Sequence, residues 1–233
     1  GKRLNPFNID TESSEVIFAS NRWSYSTFYN RNRTGLGWDG SFSKSERKQL
    51  LSNGFELSEF KDWLSILRWR FNQEYTLQMK NQWGRQQNAS DFLQNRNVRI
   101  RSFGLGPEVV WQPSISLRFI GSYQYRERSN VLADQPEQSK LNEIKGTITW
   151  NQLGKGNLQG SIKWLQIDYQ GEENTYSAYQ LLEALRPGNN TTWNVNWQQS
   201  LGRGIQMTLQ YNGRTSEGQS PIHTGTVVMT AYF

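Results

Sequence analysis

The sequence predicts an all-β chain, an antiparallel up-and-down transmembrane β-barrel of about 10–12 strands or the C-terminal part of a larger barrel. Three observations carry this expectation. Side chains alternate apolar and polar with period two from about residue 22 to the end. Short and long connections interleave along the chain. The composition is rich in rings yet poor in ordinary core residues: Trp 10, Tyr 10 and Phe 11 make 13% aromatics, while all hydrophobic residues together reach 35%. With mean hydropathy at −0.79, the chain is too polar for a conventional packed core and too aromatic for disorder.

The period is clearest at 114–128, where Ile115, Leu117, Phe119, Tyr123 and Tyr125 share a face and Ser116, Arg118, Ser122, Gln124, Arg126 and Arg128 take the other. Segments 141–152, 191–201 and 204–212 repeat it, the last setting Ile205, Met207, Leu209 and Tyr211 against Gln206, Thr208, Gln210 and Asn212. Less regular strands are expected at 22–30, 34–44, 59–71, 74–86, 96–112, 156–170 and 223–233, giving eleven. Two of them, 96–112 and 156–170, change face partway, which predicts bulges near Gly104-Leu105-Gly106 and Leu165.

Short turns are read at Asn32-Arg33, Asn72-Gln73, Gln112-Pro113, 153–156 and Gly202-Arg203, and long loops at 45–58, 87–95, 129–140, 171–190 and 214–222. Sorting loops by end has no purpose in a soluble sandwich, the alternative fold, but is the habit of bacterial outer-membrane barrels. Residues 1–21 are set apart as an N-terminal extension or the end of an upstream segment, and 22–233 as the barrel. Bacterial single-chain barrels hold an even number of strands. The odd count, and the absence of a cationic-then-apolar leader before Gly1, point to the C-terminal piece of a larger barrel.

The chain ends in an alternating strand with Gly225, Val227, Met229, Ala231 and Phe233 on one face. It is similar to the terminal strands that the outer-membrane assembly machinery recognises. The stretch LLEALRPGNNTTWNVNWQQSLGRGIQMTLQYNGRTSEGQSPIHTG at 181–225, with echoes in LLSNGFE at 50–56, SDFLQNRN at 90–97 and NVLADQPEQSK at 130–140, resembles a C-terminal module of large outer-membrane proteins of the Bacteroidota. The resemblance implies a surface-exposed outer-membrane barrel and carries over no catalytic residue.

With Cys 0 and His 1, thiolate sites, disulfides and a zinc centre have no ligands, and neither metal nor cofactor is expected. The net charge of +6 is spread over many strands rather than gathered in a stripe, which argues against nucleic acid. Arg68, Arg70, Lys80, Arg99, Arg101, Arg118, Arg126, Lys145 and Lys163 are expected on the wet face as lumen lining, where they would either attract anions or form a polar plug with the few acids. The tryptophans fit two interfacial girdles. In the longest loop, Ser177 and Gln180 resemble a capping box, and Ala178 to Arg186 a helix. Its Tyr179, Leu181, Leu182 and Leu185 would dock another outer-membrane or surface protein, or fold over the barrel mouth. His223, near Ser220 and Thr224, is the one candidate for hydrolase chemistry, with no acid at a telling spacing.

The expectation is therefore a non-enzymatic outer-membrane β-barrel, a structural or transport component of a surface assembly. Outer-membrane lipid and the barrel assembly machinery are its expected partners. An anion-selective channel and a membrane-embedded hydrolase using His223 are the alternatives.

Overall fold

The computed structural model describes residues 18–51, 54–133, 135–183, 185–202 and 204–231. Eleven strands follow one another in space in chain order: β1 (Phe18–Tyr29), β2 (Gly35–Leu51), β3 (Gly54–Arg70), β4 (Tyr75–Ser90), β5 (Val98–Trp111), β6 (Leu117–Asn130), β7 (Glu137–Gln152), β8 (Gly156–Gln170), β9 (Gly188–Gly202), β10 (Ile205–Ser216) and β11 (Ile222–Ala231). Every neighbouring pair is antiparallel, as an up-and-down meander requires. The one helix among the described residues, α1 (Tyr176–Leu181), lies in the connection between β8 and β9, and a single 3-10 turn (Gln94–Arg96) precedes β5.

The strands sit where the alternation places them, but several run further. β2 and β3 form one hairpin of 17 residues on each arm, so the stretch expected as a long loop at 45–58 is mostly paired strand. One face of that hairpin end sets Leu50, Phe55 and Leu57 among Lys44, Glu46, Lys48, Glu59 and Lys61, so no clean apolar alternation announces it. Length still sorts in part by end: the β8–β9 connection is the longest, while those between β2 and β3 and between β10 and β11 are brief. β1 begins at Phe18, inside the segment read as an extension, and residues 1–17 lie outside the described residues.

The expected bulges are absent. Pairing of β5 with β4 and β6, and of β8 with β7 and β9, keeps one register throughout; the shift at Ile205/Gln206 in β10 is the one found among the described residues. Pro107, which has no N–H to donate, interrupts the β5–β6 ladder without displacing it. Since partners across a ladder share a face, an unshifted register fixes each side chain's side. Trp63, Trp83 and Phe103 stand side by side on the apolar face, and so do Tyr75 and Trp111 with Phe119, and Trp150 with Leu158 and Trp197. The rings touch, Trp111 lying 5.1 Å from Phe119 and Trp83 5.9 Å from Phe103. Most of these side chains are exposed, with Trp63 at 49% and Leu67 at 48%, a face no soluble domain leaves bare.

Two polar side chains on this face find partners within it. Trp38 Nε1 donates to Ser65 Oγ at 2.9 Å, and Tyr123 Oη to Asn142 Oδ1 at 2.7 Å. Pairing of this kind is what a medium without water demands. The aromatic boundary nearer the long-loop end crosses the ladder obliquely. The row through Trp63, Trp83 and Phe103 continues into Glu127, Lys140 and Asp168, whereas on β8 and β9 the boundary sits further down at Trp164 and Trp193. Strands tilted to a flat apolar slab produce this drift.

Candidate functional site

The loop carrying α1 folds down onto the polar face of the sheet. Apart from Val110, the buried apolar side chains among the described residues belong to its seat: Val98 and Ile100 on β5, Leu141 on β7, Leu165 and Ile167 on β8, packed against Ala178, Leu181 and Leu182. Leu181 is 2% exposed. Removing such a side chain from water is worth about 2–3 kcal/mol. What reads in the sequence as a change of face at 96–112 and 156–170 is therefore an apolar seat on an otherwise wet surface, built to hold this loop.

Hydrogen bonds pin the loop from β4 to β7. Asn88 donates to the Tyr176 hydroxyl at 3.0 Å, Gln86 to the Gln180 side chain at 3.1 Å, Arg128 to the Gln180 carbonyl at 3.1 Å, and Ser139 to the Leu181 carbonyl at 2.8 Å. The helix begins earlier than its sequence signals, with Thr175 rather than Ser177 as N-cap, its hydroxyl accepting from the Ala178 N–H at 3.1 Å. Ser177 donates instead to Glu137. The helix ends at Leu181, because Glu183 adopts φ 53°, the left-handed conformation that stops a helix. That turn returns the Glu183 carboxylate to Arg126 Nη1 at 2.7 Å and Arg128 Nη2 at 2.6 Å.

Two expectations about the site need correcting. Leu181 and Leu182 are buried against the wall and present nothing to a partner; Tyr179 and Leu185 remain exposed. Arg99 and Arg101 lie on the apolar face, since Arg101 stands opposite Arg85 and Arg99 opposite Gln87, both on the side of Trp83. β5 keeps one register along its whole length, so Arg99 and Arg101 share the side of Phe103.

The other basic residues named for the lining do share the polar face: Arg68, Arg70, Lys80, Arg118, Arg126, Lys145 and Lys163. Arg128 and Arg214, outside that set, stand with them. The face is not uniformly cationic. Arg68 is ion-paired with Asp39, Lys80 with Glu108 at 2.5 Å, and Arg126 and Arg128 with Glu183. Lys145 and Lys163 are direct cross-strand partners.

His223 lies on the apolar face, between Trp193 at 5.6 Å and Tyr211, whose hydroxyl is 2.8 Å from Nδ1. Its hydrogen bond goes to a phenol rather than to Ser220, so a Ser–His pair is not assembled. Of the expected assembly signal, Gly225, Val227 and Met229 do fall on one face of β11, and Phe233 lies outside the described residues. No group of three or more metal-ligating side chains converges among the described residues.

No protein-family model matches the chain, and no curated protein matches it by sequence. Solved structures do match in fold. The ferric enterobactin receptor PfeA of Pseudomonas aeruginosa superposes with a TM-score of 0.67 at 12% identity, over 92% of this chain and 39% of the receptor. The siderophore receptor PirA of Acinetobacter baumannii gives 0.63 at 11% identity, over 94% and 39%. The outer membrane channel DcaP of the same organism gives 0.55 at 9% identity, over 91% and 62%. The chain thus spans about two-fifths of the length of the two receptors. Apolar face, oblique aromatic boundary and polar face carrying a folded-in loop all belong to one architecture, and the chain folds as the wall of an outer-membrane β-barrel.

Proposed function

We propose that the chain is a length of wall in a larger, non-enzymatic transport barrel of the bacterial outer membrane, its lumen narrowed by the loop that carries α1. The loop is the observation that carries this reading. An apolar seat with ionic and hydrogen-bonded fastenings on the polar face serves no membrane anchoring; it places mass in the path through the barrel. Support for a larger barrel comes from the sheet edges, since β1 and β11 each pair along one side only among the described residues. An edge cannot stand open in hydrocarbon. The resemblance of 181–225 favours a protein of the Bacteroidota. On this reading Gly225, Val227, Met229 and Phe233 address the barrel assembly machinery, while Tyr179 and Leu185 are left to meet other surface proteins.

The chain holds no cysteine, which allows a clean test in the full-length protein. Met207→Cys with Met229→Cys, Cα partners across β10 and β11, forms a disulfide. Tyr25→Cys on β1, paired in turn with Cys at Gly225, Val227 or Met229 on β11, forms none, because further strands stand between. A disulfide joining β1 to β11 would show a barrel closed by these eleven strands and end the proposal.

Lys145 facing Lys163, with Arg70 and Arg118 on the same face and in no ion pair among the described residues, favours a second reading, an anion-selective channel. In a salt gradient its reversal potential follows chloride, and Lys145→Glu with Lys163→Glu moves it toward the cation value. No conductance from the purified full-length protein removes this reading and leaves the first.

A further inference from the structure

On four consecutive strands the residue that follows an aromatic ring on the apolar face, one step toward the long-loop end, is a cation. Phe42 is followed by Lys44, Trp63 by Lys61, Trp83 by Arg85 and Phe103 by Arg101. The four cations are successive cross-strand partners, so they form one row. Like charges directly opposite one another destabilise a sheet, so an uncompensated row of four is costly.

Two of them are compensated from within. Lys44 is ion-paired with Glu46, and Lys61 with Glu59 at 2.5 Å. Arg85 and Arg101 are both exposed and make no ion pair among the described residues, although they face each other across β4 and β5. The nearby Glu127 is engaged, accepting from the Tyr125 hydroxyl at 2.9 Å and from the Gln138 amide. A concavity of about 400 Å³ is lined by Arg85 and Arg101 together with Trp83 and Phe103, and by Glu127 and Ser129 of β6.

We propose that Arg85 and Arg101 clamp a phosphate group of an outer-leaflet lipid, flanked by Lys61, with the lipid's chains lying over Trp83 and Phe103. This rests on the outer-membrane reading above. Guanidinium groups grip phosphate oxygens in pairs, and here one anion between two facing arginines removes the repulsion that their register imposes. The apolar neighbours fix the source. A free phosphate ion gains nothing from two exposed rings below it, whereas a lipid places its phosphate at the level of the arginines and its hydrocarbon at the level of the rings.

The test uses the full-length protein in detergent, titrated with phosphorylated lipid A, with its dephosphorylated form, and with inorganic phosphate, and read by native mass spectrometry. The phosphorylated lipid is retained at least about tenfold more strongly than the dephosphorylated one, a difference of about 1.4 kcal/mol. Arg85→Ala with Arg101→Ala abolishes that preference, Arg85→Lys with Arg101→Lys keeps part of it, and Arg118→Ala on the polar face leaves it intact. Equal retention of the two lipids, or a preference surviving the double alanine variant, overturns the proposal. Displacement of the lipid by equimolar inorganic phosphate also overturns it, by making the site one for a free ion. Membrane fractionation separates this failure from the parent one: a protein found outside the outer membrane sinks both, and one found in it without lipid discrimination sinks the clamp alone.

Discussion

Glu183 occupies a backbone conformation that glycine would enter without strain, at φ 53°, and is held there by two arginines on the neighbouring wall. Its carboxylate is the ionic fastening of the α1 loop, and Leu181 is the apolar one. Their contributions separate by substitution. Leu181→Ala empties a fully enclosed position and weakens loop docking by about 2–5 kcal/mol. Glu183→Gln removes a partly exposed ion pair and costs about 1 kcal/mol, since solvent already screens it. Amide exchange at 176–183 reads both, with the larger acceleration in Leu181→Ala and strand amides unchanged in each. Equal protection of the loop in Leu181→Ala and the parent would show that the seat does not hold it.

Within the strands, glycines are not interchangeable. A Cβ on Gly213 would fall 2.1 Å from the Trp193 indole, which lies across that glycine on the apolar face; Gly121, on the same face, has open space there. Trp193 covers backbone that would otherwise meet lipid unshielded, and it supports His223 from the side. Gly213→Ala therefore forces the indole out and lowers the temperature at which the folded, fast-migrating band disappears on unheated gels. Gly121→Ala leaves that temperature within error. The same element logic explains the Arg99 and Arg101 misplacement. A strand that stays in register keeps its faces, and their exit from the apolar pattern marks the end of the hydrocarbon slab rather than a twist of the chain.

For the whole molecule, the decisive quantity is how much of the lumen the α1 loop occupies. Replacing residues 172–186 by a short Gly-Ser turn uncovers Val98, Ile100, Leu141, Leu165 and Ile167 and opens the path beside them. Single-channel conductance of the full-length protein rises severalfold after this exchange, while outer-membrane location and gel migration persist. An unchanged conductance would mean that the loop lies aside from the path, or that another part of the protein closes it. The exposed lipid face sets the other whole-molecule property. Rings and aliphatic side chains left bare over most of the strands demand detergent or bilayer around the folded protein.

Alternation, aromatic content and tight turns were enough, read from the residues alone, to determine the fold class, the number and place of the strands and the face of most side chains. Each is a local property, because a side chain two positions away on a strand returns to the same side. Three things were decided by the tertiary structure. The extended hairpin of β2 and β3 mixes Leu50, Phe55 and Leu57 with charged residues on one face and so has no clean local signature. The seat of α1 mixes apolar residues into the wet face of β5, β7 and β8, and only its contact with Leu181 and Leu182 tells a seat from a bulge. The row from Lys44 to Arg101 joins residues of four strands, and its members become neighbours only through register. Periodicity reports which side a residue faces; what stands beside it depends on pairing between distant segments, which the ladder alone settles.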